Sequence, residues 1–238
     1  MKLFRKVRES LVWKGDLKKY LLYAIGEISL VMIGILLALQ VNNWNDNRLK
    51  RSDELTSYKN LKNQITNDKN EIQSQVKYNN NYLDQFKYAN EIIELNDRIK
   101  MDTLGKIARN LTNYSDFDRQ GNIYETMVNS GEIKLLENNK IINGIRELEQ
   151  RYLYINRMEK IHYDAMITYV IPNINSTVKF STGEVQKPES LFTFEFQNLI
   201  LSLLRIMDEK NEIYLNAINE IEVIVQLIDT EINAETVQ

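Results

Sequence analysis

Leu21 to Val41 reads LLYAIGEISLVMIGILLALQV, 21 residues in which Glu27 is the single charged side chain. As a helix this run spans roughly 30 Å, the thickness of one hydrocarbon core. The basic residues Lys2, Arg5, Lys6, Arg8, Lys14, Lys18 and Lys19 precede it, and Trp44 follows at the position of an interfacial aromatic. One transmembrane helix over residues 20–41 is therefore expected. A cleaved leader fits poorly, because the basic region is long, a carboxylate interrupts the apolar stretch, and Leu39-Gln40-Val41 offers no small-x-small cleavage site.

Charge sets the expected orientation. Residues 1–19 hold seven Lys/Arg against Glu9 and Asp16, a net of +5, which leaves −8 for the rest of a chain whose total is −3. Only Arg48, Lys50 and Arg51 follow the span closely. The positive-inside rule then puts a basic head, residues 1–19, in the cytoplasm and a body, residues 42–238, outside it, in the periplasm of a bacterium with an inner membrane. Phe4, Val7, Leu11 and Val12 recur at helical spacing between the basic residues, a pattern that suits either a short helix lying on anionic lipid or a basic tail. Membrane lipids are thus expected partners; nucleic acid is not, since the body is acidic and its Tyr and Phe form no basic-aromatic platform.

Within the span, Tyr20, Ala24, Glu27, Val31, Gly34, Ala38 and Val41 follow at steps of four and three. Ala24, Glu27, Gly34 and Ala38 therefore share one seam. Small residues let helix backbones approach, and a carboxylate in hydrocarbon normally faces a partner or water. The seam predicts self-association or a partner membrane protein. Three readings of Glu27 stay open: a protonated carboxyl bonding across an oligomer, an ion-pathway group, or a side chain reaching headgroup water from roughly 9 Å depth.

Eight Gly and two Pro in 238 residues leave little punctuation for an all-β fold. The body instead carries three long amphipathic stripes. Tyr58, Leu61, Ile65, Ile72, Val76, Leu83, Phe86 and Ile93 form the first, interrupted by Asp68 and Asn79, with a kink expected at Asn79-Asn80-Asn81. Ile141, Ile145, Leu148, Tyr152, Ile155, Glu159, His162, Met166 and Tyr169 form the second, ending at Pro172. Ile200, Leu203, Met207, Lys210, Tyr214, Ala217, Ile221, Ile224 and Ile228 form the third. Short helices are expected over Leu104–Leu111 and Ile123–Asn129, a turn at Ser130-Gly131, and a loop from Pro172 to Pro188 with a small hairpin near Thr182-Gly183. The fold expected is all-α, an extramembrane antiparallel helical bundle behind one N-terminal span.

Chemistry is sparse. No cysteine occurs, which excludes thiolate ligands and nucleophiles. Glu159-x-x-His162 has the spacing used by bundle di-metal sites, but His162 is the only histidine, so packing among Tyr152, Met166 and Tyr169 is the preferred reading. Glu209, Glu212, Glu220 and Glu222 are expected on a solvated face. No nucleophile elbow or phosphate loop is found, and no catalytic residue, metal or cofactor is expected.

Tyr20-Leu21-Leu22-Tyr23-Ala24-Ile25-Gly26-Glu27, with Ile33-Gly34-Ile35, Ala38-Leu39-Gln40 and Asn42-Asn43-Trp44-Asn45 behind it, resembles the N-terminal signature of an uncharacterised family of small single-span proteins common in Bacteroidetes-type bacteria. Tyr124-Glu125-Thr126-Met127 through Ser130-Gly131-Glu132-Ile133 to Asn138 is similar to a second stretch of that family. The resemblance implies location and architecture and supplies no activity. The leading expectation is a membrane-anchored helical interaction or scaffold module, homo-oligomeric or bound to a membrane or periplasmic protein, and not an enzyme. The alternatives are a periplasmic sensor of a small ligand and an ion-coupled subunit that uses Glu27.

Overall fold

The computed structural model describes residues 17–117 and 121–235. The expected surface helix and most of the basic head lie outside the described residues. Contacts divide the chain into two units, Met1–Asp53 and Glu54–Gln238. The architecture is helical with one minimal hairpin.

Helix α1 is Leu17–Glu94. In the first unit its apolar residues from Leu21 to Val41 are open to solvent, and no part of this apolar window is buried. It is long and apolar enough to cross a membrane.

In the second unit a 3-10 turn, Arg98–Lys100, leads into α2, Met101–Asn110, and farther along the chain come α3, Ile123–Ser130, and a second 3-10 turn, Glu132–Lys134. Then follow α4, Asn139–Ala165, a π turn, Met166–Val170, α5, Ile171–Thr177, the hairpin β1, Val178–Lys179, and β2, Glu184–Val185, α6, Pro188–Leu191, and α7, Phe194–Glu235. The strands pair Val178 with Val185 and Lys179 with Glu184, so the expected hairpin forms around Gly183. Gly131 ends α3 at φ 82°, a backbone state a side chain would strain.

Three long segments build the core. Lys62 pairs with Asp229, Lys69 with Glu222, and Gln197 with Asn90, so α7 runs antiparallel to the body part of α1. Arg151 pairs with Glu220, and a Cβ on Gly144 would come within 2.8 Å of Ile224, so α4 also lies antiparallel and close to α7. The backbone N–H groups of Glu137 and Asn138 donate to Glu54 and Tyr58, and Tyr152 donates to Asp68, so α1 and α4 run the same way. The antiparallel expectation holds for α7 against both neighbours but not for α1 against α4. The chain returns between them through α2 and the irregular run 111–117, which Gln85–Asn110, Tyr78–Asn113 and Gln75–Asp116 tie back along α1.

Two details depart from the sequence pattern. Helix α1 is unbroken at Asn79–Asn81, and the Asn79 and Asn80 amides bond across to α7 rather than to their own backbone: Asn79 donates to Met207 O, and Asn211 donates to Asn80. The second stripe does not stop at Pro172. The π turn adds one residue, Ile171 N–H reaches Met166 O, and Pro172 falls in the first turn of α5, where its missing N–H costs little. That extra residue turns Tyr169 outward, at 61 % exposure, and puts Val170 in the core at 0 %.

Candidate functional site

Buried apolar residues form two clusters rather than one. One holds Ile72, Phe117, Met158 and Ile213; the other holds Leu83, Leu111, Met166 and Met207. Each crossing segment changes cluster at a polar residue: α1 at Asn79, the irregular run at Ser115, α4 at Glu159 and His162, α7 at Lys210. A buried polar layer thus separates two dry cores.

Its geometry is specific. Lys210, fully buried, donates from Nζ to Ser115 O at 2.5 Å and lies 3.5 Å from His162 Nδ1. Its ammonium is also 5.8 Å from the Tyr114 ring and 6.0 Å from the Tyr214 ring, within range of cation–π attraction. Glu159, 4 % exposed, accepts at Oε1 from Phe117 N–H at 2.8 Å and from the Tyr214 hydroxyl. The Tyr214 hydroxyl also lies 3.3 Å from Ser115 Oγ. Asn79 accepts from Ser115 at 3.4 Å while its amide holds Met207 O and Asn211. The layer therefore fastens the irregular run 115–117, whose backbone has no helix of its own to satisfy it, to three helices.

Burial shapes the protonation of the layer. It raises the Glu159 carboxyl well above its usual range, against the hydrogen bonds from Tyr214 and Phe117 and the charge of Lys210, which favour the anion. It lowers the Lys210 ammonium, opposed by Glu159 and Asp116. It lowers His162 to about 3, assisted by Lys210, so the imidazole is neutral. With Nδ1 accepting from Lys210, the proton lies on Nε2, a buried atom that has no hydrogen-bond partner among the described residues.

An open cavity of about 370 Å³ reaches this layer from the surface, lined by Tyr114, Asp116, Asn156, Glu159, Lys160 and Tyr163. Among the described residues no group of His, Asp and Glu side chains is arranged to hold a metal ion. Glu159 and His162 do share a helix face, as their spacing predicts. His162 packs edge-to-face with Tyr114, with ring centroids 5.9 Å apart, and not with the expected Tyr169. Of the acidic residues expected on a solvated face, Glu212 and Glu222 are exposed, whereas Glu209 accepts from Tyr154 and Glu220 pairs with Arg151.

The seam residues lie elsewhere, on α1 in the first unit. Ala24 and Glu27 are partly exposed, and Gly34 and Ala38 are exposed. A Cβ on Gly34 would meet nothing within 4 Å among the described residues.

Residues 27–206 match a family described as "Family of unknown function (DUF6090)". The chain belongs to this family. Comparison of the DUF6090 chain with curated proteins and with solved structures gives no match. The DUF6090 match includes Glu27, Asn79, Ser115, Glu159 and His162 and ends at Ile206, before Lys210 and Tyr214 enter the layer. The expected resemblance to an uncharacterised family is met at that level, and it assigns no catalytic chemistry.

Proposed function

We propose that this protein is a membrane-anchored helical interaction scaffold. In this reading residues 20–41 cross a bacterial inner membrane once, with the basic head in the cytoplasm and the body in the periplasm. The Ala24–Glu27–Gly34–Ala38 seam joins copies of the chain or a partner membrane protein. One contrast supports the reading: the apolar residues of the first unit face outward, while those of the body close over their own cores. An exposed apolar helix of this length needs a hydrocarbon environment to be stable.

The absence of native cysteine makes the topology directly testable. Single-cysteine variants Ser10→Cys and Glu222→Cys in the full chain are exposed to a membrane-impermeant maleimide. Labelling of Glu222→Cys in intact spheroplasts, and of Ser10→Cys only after lysis, is the expected outcome. Recovery in the soluble fraction, or the reverse labelling, would sink the anchor. In-cell crosslinking tests the scaffold role: one abundant partner or self-crosslinks through the span are expected, and neither would refute it.

A periplasmic sensor is a second reading, favoured by the cavity that opens onto Glu159. Ion coupling through Glu27 predicts loss of activity in Glu27→Gln with assembly intact; lost assembly supports the seam instead.

A further inference from the structure

We infer that the cavity between the 114–117 run and α4 is a binding site for a small organic ammonium ion, with Glu159 as its buried anion and Tyr114 and Tyr163 as its aromatic walls. The inference is independent of the membrane anchor.

The first observation is the half-used carboxylate. Both hydrogen bonds of Glu159 fall on Oε1, from Phe117 N–H and Tyr214. Among the described residues Oε2 receives none, and it is not one of the buried atoms lacking a partner, although Glu159 lines the cavity. One oxygen thus holds the fold while the other faces the opening.

The second is the balance of charge. Asp116 is exposed at the same opening. Among the described residues, Lys160, which also lines the cavity, is held by both oxygens of Asp164, and Lys210 is turned to Ser115 O and His162. Among the described residues, neither of the two cavity-lining carboxylates, Glu159 and Asp116, is bonded to a cation. A positive guest replaces the solvation that burial takes from Glu159.

The third is the wall. The Tyr114 and Tyr163 rings, both lining the cavity, lie 5.8 Å apart at a tilt of 59°. Ring faces attract ammonium groups, most of all when desolvated. Asn156 adds a polar group able to accept from an N–H or O–H of the guest. The volume of about 370 Å³ suits a primary or quaternary amine of metabolite size and not a polymer.

The test is calorimetric titration of full-length protein in detergent with choline, putrescine and 3,3-dimethylbutanol, the uncharged isostere of choline. At least one amine is expected to bind saturably, and the isostere at least about tenfold more weakly, since it lacks the charge-assisted contact. Glu159→Gln keeps an acceptor for Tyr214 and Phe117 but removes the charge, and is expected to weaken the amine about tenfold. Asp116→Asn and Tyr163→Ala, both changes at exposed positions, leave the fold intact and are expected to weaken it about threefold, whereas Tyr163→Phe keeps the ring and the affinity. Failure of both amines to saturate at millimolar concentration overturns the site. So does equal binding of the isostere, or binding that Asp116→Asn, Tyr163→Ala and Glu159→Gln all leave unchanged.

Discussion

Glu27 and Glu159 each interrupt an apolar stripe that steps by four and three, yet their surroundings differ. Glu159 is enclosed, with Tyr214, Phe117 N–H and Lys210 drawn from two other segments of the same chain. Glu27 is partly exposed on a helix whose apolar neighbours face outward. The glycines repeat the contrast. Gly144 is filled by Ile224 of α7, whereas nothing among the described residues approaches Gly34. A stripe containing a small residue and a carboxylate therefore marks a packing seam without saying whether the complement lies in the same chain or outside it.

The largest expected effect comes from removing the enclosed carboxylate. Glu159→Ala leaves Lys210 buried without the opposing charge of Glu159 and orphans Phe117 N–H and the Tyr214 hydroxyl, so denaturant unfolding of the detergent-solubilised chain should show a loss of about 3–5 kcal/mol. Glu27→Ala should change body stability by less than about 0.5 kcal/mol while altering crosslinking through the span. Equal losses of stability would erase the distinction between the two seams.

Acid titration is expected to show a smaller difference. His162 is held neutral down to about pH 3 in the fold and titrates near 6.5 when unfolded. Between those values the unfolded chain binds more protons, so stability is full above about 6.5 and declines as pH falls. Glu159 works in the opposite sense, because its raised value makes the folded chain the better proton acceptor above the ordinary carboxylate range. In His162→Gln the acid decline should flatten and the Glu159 contribution stand alone, as stability that increases on mild acidification. A variant that loses stability in parallel with wild type would show that His162 does not titrate in this window.

The smallest effect separates the glycines. A Cβ on Gly144 comes within 2.8 Å of Ile224 Cγ1, so Gly144→Ala should lower the unfolding midpoint by the equivalent of about 1–2 kcal/mol. Gly34→Ala should leave that midpoint unchanged and reduce self-crosslinking if backbones meet at the seam. The reverse pattern would place the close approach in the wrong helix.

Much of the body was legible because burial repeats with the helical period. All nine positions of the third stripe, Ile200 through Ile228, are buried. The first stripe is also right, although Asp68 and Asn79 are part of the interior rather than gaps in it, bonded to Tyr152 and to α7. Tyr169 was misplaced because a π turn leaves no mark on composition, and the residue it adds moves every later position. The polar layer was half visible: Glu159, His162 and Lys210 all stood in apolar stripes. What joined them, Ser115 O, Phe117 N–H and the return of an irregular run along α1, is long-range backbone geometry, which periodicity does not encode. A lysine in an otherwise apolar heptad was the available signal.

The layer also fixes alignment. A dry three-helix interface tolerates sliding, since one aliphatic side chain replaces another a turn further on at little cost. Displacing α7 by one turn, about 5.4 Å, would carry Lys210 away from Ser115 O and into an aliphatic stretch, and would strand Glu159 and Asn79 together. The polar residues thus act as a key cut for one alignment: they add little to cohesion, but they make each neighbouring registry of the three helices a poor fit.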